Sequence, residues 1–313
     1  MLQRKLKWKT FLKNNRFLAD LYRATKSTEQ AKQEWKWISQ ELRELCPKDS
    51  KLQIQRKIIQ ACKLRGRKYP LQYILQTQPF GSLDIQCRPG VLIPRWETEE
   101  WVERTIPLLN SLSVPNPIRI LDLCTGSGCI SSYVSTSLKR PHHLHVVDNS
   151  SKALHIAAKN LLTCKHDSST LDTQFHKINV LSAQKAMFDL LKDCHVVLCN
   201  PPYISPTEFH TNTDLSVKRY EPRHALVAQE DGNQFYKVIA SYVFELLKDP
   251  FLTKDALRYL AFEIGSSKQA NYVKNLFSGS VFDATIWKDS ANLDRTVIVQ
   301  RKEIDAKSIV ENR

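Results

Sequence analysis

The chain has no run of about 18 consecutive apolar residues, so no segment is built to cross a bilayer. It has eight cysteines (Cys46, Cys62, Cys87, Cys124, Cys129, Cys164, Cys194, Cys199) but no C-x-x-C pair. That spacing neither makes a zinc site nor a secreted disulfide framework, and it fits reduced thiols inside a cell. The histidines of His142-His143-Leu144-His145 lack a neighbouring cysteine or carboxylate to complete a metal site, and they read as solvated rings at a strand entrance. No metal is expected. Internal repeats and low-complexity tracts are absent, which leaves a repeat architecture without support. There is no arginine-rich tract and no basic ribbon spaced with aromatics, although the net charge is +14. Such a charge speeds encounter with acidic proteins, nucleic acid or anionic surfaces, or simply marks a basic compartment.

Acidic residues are also missing before Asp20. The same stretch carries Arg4, Lys5, Lys7, Lys9, Lys13 and Arg16, interleaved with Leu2, Leu6, Trp8, Phe11 and Leu12. A basic, acid-poor, amphipathic start reads as a mitochondrial transit segment, or else as the first helix of an N-terminal domain. The full length of 313 residues accommodates two domains.

Residues 1–78 read as a helical bundle. Glu29 to Leu45 carries Trp35, Ile38, Leu42 and Leu45 at helical spacing, Leu52 to Leu64 repeats the habit, and Pro47, Asp49 and Ser50 mark the turn between. Residues 79–96 read as a connector, with Phe80 to Cys87 and Val91 to Ile93 forming a β-hairpin around Arg88-Pro89-Gly90. Residues 97–313 alternate helix and strand. After a helix from Glu97 to Leu112 come strands at Ile118–Leu123, His145–Asp148, His195–Asn200 and Tyr259–Ile264, with helices at Ile130–Leu138 and Lys152–Leu162. Two closing strands span Phe282–Trp287 and Thr296–Gln300. This alternation predicts a mainly parallel sheet between helices, an α/β Rossmann-like domain.

Two motifs carry chemistry. Asp122-Leu123-Cys124-Thr125-Gly126-Ser127-Gly128 lies between a strand and a helix, and Asp148 caps the next strand. A glycine turn plus a strand-end acid suits adenosine, the acid accepting from the ribose hydroxyls. The third glycine of G-x-G-x-x-G is missing, which disfavours a dinucleotide and favours a nucleoside without pyrophosphate, such as S-adenosylmethionine. The bland alternative is a tight strand-to-helix turn. Asn200-Pro201-Pro202-Tyr203 follows a buried strand at the end where open α/β sheets place ligands. Consecutive prolines remove two donors and hold Pro201 extended, leaving its carbonyl free beside the Asn200 oxygen. Two fixed acceptors suit an NH₂ group, and Tyr203 offers a flat wall. The alternative is an ordinary proline turn.

Further blocks have no chemistry derivable from their residues alone. They are Pro70-Leu71-Gln72-Tyr73-Ile74-Leu75, Ile93-Pro94-Arg95-Trp96-Glu97-Thr98-Glu99, Tyr220-Glu221-Pro222 through Leu226 with Asp231-Gly232, and Phe262-Glu263-Ile264-Gly265. With the two motifs and Asp148 to Leu154, they make the chain resemble, over nearly its whole length, the HemK/PrmC family of peptide chain release factor glutamine N5-methyltransferases, and most of all a mitochondrial member.

The resemblance implies an S-adenosylmethionine-dependent methyltransferase domain behind a release-factor-binding N-terminal domain. The substrate would be the glutamine of the Gly-Gly-Gln motif of a class I release factor. Asn200 and the Pro201 carbonyl would hold its amide, with Pro202 fixing the turn and Tyr203 packing alongside. Asp122, Cys124, Thr125, Gly126, Ser127 and Gly128 would form the methionine end of the cofactor site, Asp148 the ribose end, and Asn179 and Val180 the adenine end, with Asn200 bordering it. Cys124 stands where the family usually has glycine, Trp96 where it has proline, Asn179 where it has an acid, and Ala228 and Asn292 where glycines are common. A monomeric enzyme of the mitochondrial matrix, with no membrane partner and no nucleic-acid substrate, is expected. The nearest rival methylates an exocyclic amine of adenine or guanine, which the same N-P-P-Y logic and the basic charge would suit. A non-catalytic adenosine-binding adaptor is a second rival, disfavoured by the intact tetrapeptide, and a nicotinamide dehydrogenase a third, disfavoured by the missing glycine.

Overall fold

The computed structural model describes residues 16–164 and 170–302. Most of the basic amphipathic start lies outside the described residues. The chain divides into two compact units. Among the described residues, one collects 16–78, 87–89 and 213–221, and the other 79–86, 90–164, 170–212 and 222–302.

In the first unit, α1 (Arg16–Thr25), α2 (Thr28–Leu45), α3 (Lys51–Gly66) and the short α4 (Leu71–Leu75) pack around Leu21, Ile38, Cys62 and Ile74. Ser27 caps α2 through the Gln30 amide, and Ser50 with Gln53 forms a reciprocal capping box on α3, which is why the chain turns at Pro47–Ser50. Of the apolar residues spaced along α2, Ile38 is buried while Trp35 and Leu45 are exposed. The buried face is completed instead by Glu34, whose carboxylate takes two bonds from the Arg65 guanidinium at 2.9 and 3.0 Å. The helical reading of this segment ends early, because β1 (Thr77–Phe80) starts within it.

The hairpin pairs β1 with β2 (Leu83–Gln86). Its turn is Gly81-Ser82 and not Arg88-Pro89-Gly90, and Val91 to Ile93 form no strand. Gly81 sits at φ +58°, and a Cβ there would fall 2.2 Å from the Tyr133 ring. Val91 is apolar for another reason, since it packs on Ala153 and Ile156.

The second unit continues with α5 (Trp96–Ser111), β3 (Ile118–Leu123), α6 (Cys129–Ser137), β4 (His142–Asp148), α7 (Ser151–Cys164), β5 (Thr170–Lys177), α8 (Gln184–Asp193), β6 (Val196–Cys199) and α9 (Pro206–Thr211). In the first unit, α10 (Leu215–Tyr220) follows. The second unit then resumes with α11 (Gln234–Leu246), β7 (Tyr259–Glu263), α12 (Ser267–Phe277), β8 (Phe282–Lys288) and β9 (Asp294–Arg301). Seven strands form one sheet in the order β5-β4-β3-β6-β7-β9-β8, parallel except for β9, which runs antiparallel to both neighbours. Side chains alternate across it. Leu121, Leu123, Val197, Cys199, Leu260 and Phe262 face α8, α11 and α12, while Ile118, Ile120, Val196, Leu198, Tyr259 and Ala261 face α5, α6 and α7. Chain order reverses between β3 and β6, so a crevice opens past their carboxyl ends.

His142 does not lie at a solvated entrance. It is the first residue of β4 and fully buried, with Nδ1 donating to the Arg140 carbonyl at 2.9 Å and Nε2 accepting from Thr170 at 2.8 Å. No described helix is long and apolar enough to cross a membrane, and no group of three His, Cys, Asp or Glu among the described residues could hold a metal. Glu34→Ala leaves the largely buried Arg65 charge without its carboxylate, so urea unfolding should show a loss of about 3 kcal/mol.

Candidate active site

The carboxyl end of β3 runs directly into the glycine turn. Asp122 is buried, and its Oδ2 accepts from the Thr125 and Ser131 hydroxyls at 2.6 and 2.5 Å. Oδ1 has no partner among the described residues. Burial pushes the Asp122 carboxyl up to about 6, against the pull of those two hydroxyls. Cys124, Gly126 and Gly128 all have left-handed φ, +60°, +57° and +77°. That conformation costs a residue bearing Cβ about 1 kcal/mol, which is why glycine is the natural occupant of position 124. At Gly126 a Cβ would meet nothing nearer than 4.0 Å, so this edge of the turn is open; at Gly128 it would lie 2.7 Å from Ala157.

Asp148, at the end of β4, ties the turn to the next strand. Its Oδ2 accepts from the Gly126 amide at 3.0 Å and its Oδ1 from the Ser150 amide at 2.8 Å. Burial raises its pKa, and the Ser150 and Gly126 amides oppose that rise. A cleft open to solvent lies here. Of the residues expected at the site, Cys124, Gly126, Asp148, Asn179, Val180, Asn200 and Pro202 line it. Asp122, Thr125, Ser127, Gly128, Pro201 and Tyr203 are not among its lining residues; Asp122 braces the turn from beneath through Thr125 and Ser131. Sequence reasoning missed Leu92, Ile178, His224 and Phe235, which also line it. The combination of an apolar slot (Leu92, Ile178, Val180, Phe235), one strand-end carboxylate and an open backbone edge fits an adenosine with a short charged extension.

The tetrapeptide follows β6. Asn200 Nδ2 donates to Thr98 Oγ1 at 3.1 Å, and that hydroxyl donates to Glu263 Oε2 at 2.7 Å. Trp101 Nε1 donates to the same oxygen at 2.8 Å, and the Tyr203 hydroxyl to Oε1 at 3.3 Å. Thr98 and Glu263 are each about 1 % exposed. Burial raises the Glu263 pKa, while the Thr98 and Trp101 bonds and the charge of Arg295 hold it down. The Tyr203 carbonyl accepts from Gln269 Nε2 at 2.8 Å, and Gln269 Oε1 accepts from the Gly265 amide at 2.9 Å. A Cβ at Gly232 would lie 2.0 Å from the Tyr203 carbonyl oxygen, and one at Gly265 2.8 Å from its ring. Three of the blocks without chemistry of their own therefore converge on the tetrapeptide: Thr98, Gly232, and Glu263 with Gly265. A glutamate ending an otherwise wholly apolar strand was the signal that could have marked Glu263.

Comparison with known proteins adds to this geometry. Residues 104–218 match the family described as Methyltransferase small domain. The chain is similar to the probable MRF1 mitochondrial N(5)-glutamine methyltransferase mtq1 of Schizosaccharomyces pombe, 48% identical over 93% of this chain and 94% of that protein. It is also similar to the mitochondrial MRF1 N(5)-glutamine methyltransferase MTQ1 of Saccharomyces cerevisiae, 36% identical over 86% of this chain and 77% of the other. Among solved structures, a release factor-specific protein-(glutamine-N5) methyltransferase from Alicyclobacillus acidocaldarius aligns with TM-score 0.39 and 21% identity, over 67% of this chain and 95% of its own.

Gly265→Ala drives a methyl group into the Tyr203 ring, so thermal unfolding should show a loss of about 1–3 kcal/mol. Asp122 titrates near 3.8 when unfolded and near 6 when folded. Between those values the folded chain keeps a proton that the unfolded chain has released, so stability falls as the pH rises through that window. Asp122→Asn should flatten the slope, and urea unfolding from pH 4 to 7 checks it.

Proposed function

The chain belongs to the release factor glutamine methyltransferase family, and from that premise we propose that its substrate is the glutamine of the Gly-Gly-Gln motif in a class I mitochondrial release factor. The enzyme is an S-adenosylmethionine-dependent protein-glutamine N5 methyltransferase. Mitochondrial relatives and the basic, acid-poor start support a place in the matrix.

The observation that carries the catalytic reading is the state of two oxygens. Asn200 spends its NH₂ on Thr98, which turns Oδ1 away from that contact, and the Pro201 carbonyl accepts no hydrogen bond from the described residues. A primary amide brings two N–H donors to such a pair. Its nitrogen is a poor nucleophile because the lone pair is delocalised into the carbonyl. Acceptors on both N–H groups favour the pyramidal form and stabilise the positive charge that grows as the new bond forms. S-adenosylmethionine supplies the activated methyl group. The apolar slot and Asp148 hold the adenosine, and Tyr203, braced by Glu263 and Gln269, gives the substrate amide a fixed wall. No side chain needs to act as a general base before transfer: the nitrogen would gain the methyl group as its bond to sulfur breaks, and the excess N–H proton would pass to water afterwards.

Purified protein incubated with methyl-labelled cofactor should label one glutamine of the release factor, located by mass spectrometry, and leave stripped nucleic acid unlabelled. Asn200→Ala should keep cofactor affinity while turnover falls about a hundredfold. Label in nucleic acid and none in the factor would overturn the substrate, and full turnover in the variant would overturn the role of Asn200.

A further inference from the structure

The direction of the Asn200 amide is set from behind. Threonine has a single hydroxyl proton. That of Thr98 goes to Glu263 Oε2 at 2.7 Å. Trp101, whose indole can only donate, occupies the same oxygen at 2.8 Å and marks it as an acceptor. With its proton committed, Thr98 offers Asn200 only lone pairs, and the NH₂ end of the amide is the only end that can answer them, at 3.1 Å. Because Thr98 and Glu263 are buried, water cannot take the place of either partner.

We infer that Thr98 and Glu263 are positioning residues that lock the Asn200 amide with its oxygen toward the substrate, and that this one-way relay selects a glutamine side chain over a glutamate. The inference rests on the role proposed for Asn200. An outward oxygen attracts an NH₂ group and repels a carboxylate; a reversed amide would present a donor and lose that preference. The two residues lie 165 positions apart in the chain, one opening α5 and the other closing β7, and neither lines the cofactor cavity. They act through Asn200 and need not touch substrate.

The test compares full-length parent, Thr98→Ser and Thr98→Val, with labelled cofactor, the class I release factor, and the same factor carrying glutamate in place of its Gly-Gly-Gln glutamine as a competitor. Thr98→Val removes the hydroxyl at nearly constant volume. Its kcat should fall about ten- to a hundredfold, the scale of one buried donor left without a partner. Its cofactor Kd should stay within about threefold, since Thr98 itself does not line the cavity. The glutamate competitor should inhibit it more strongly, relative to the KM for the factor, than it inhibits the parent. Thr98→Ser keeps the relay and should recover most of the lost turnover. Parental kcat and parental discrimination in Thr98→Val would overturn the inference. So would equal loss in both variants with loss of cofactor binding, which is the mark of packing damage alone. A parent that labels no factor glutamine would overturn the substrate reading instead.

Discussion

Glu263 ends β7 with both carboxylate oxygens out of reach of solvent, and a charge so placed must be given donors or be neutralised. Its donors are Thr98, Trp101 and Tyr203, and each does something besides satisfying the carboxylate. Thr98 and Trp101 belong to α5, so their bonds fix the start of that helix against the sheet. Tyr203 belongs to the tetrapeptide, and its bond fixes the wall of the amide site. Thr98 passes the constraint on to Asn200. The Tyr236 hydroxyl meanwhile donates to the Glu263 backbone carbonyl at 2.7 Å, tying α11 to the same residue. Replacing this acid with an apolar residue would leave three donors to find new partners in a close-packed interior.

The glycines around the site answer to the same demand for closeness. Gly232 and Gly265 make room for the Tyr203 main chain and ring, and neither glycine lines the cofactor cavity. Cys124 shows the opposite case, a residue bearing Cβ held at φ +60° where glycine would be unstrained. Asn292, at φ +62°, adopts the same conformation at lower cost, because its short polar side chain tolerates it. Trp96 opens α5 at the first helical position, where the fixed φ and missing donor of proline cost nothing, so the family's proline and this tryptophan are locally compatible.

Much of the sheet was legible because its central strands are short apolar runs buried along nearly their whole length, and Ile118–Leu123 falls where such a run predicts. β5 was not, since Thr170–Lys177 buries little beyond Thr170 and alternates mostly polar side chains at the sheet edge. The hairpin was read one turn too late because Val91 to Ile93 looks like a strand, while Val91 is apolar to pack on α7 and Leu92 to line the cavity. The glycine turn, Asp148 and the tetrapeptide were legible because their chemistry is local. Thr98 and Glu263 stood in plain view without a role, since hydrogen bonds between residues 165 apart follow from the fold and from no spacing.

The most direct measurement is a crystal structure of the protein with S-adenosylhomocysteine and a Gly-Gly-Gln peptide. The glutamine amide nitrogen should lie about 3 Å from both Asn200 Oδ1 and the Pro201 carbonyl oxygen, with Thr98 still bridging Asn200 Nδ2 to Glu263. An amide nitrogen bound away from those two oxygens, or an Asn200 side chain turned with its oxygen toward Thr98, would contradict the account.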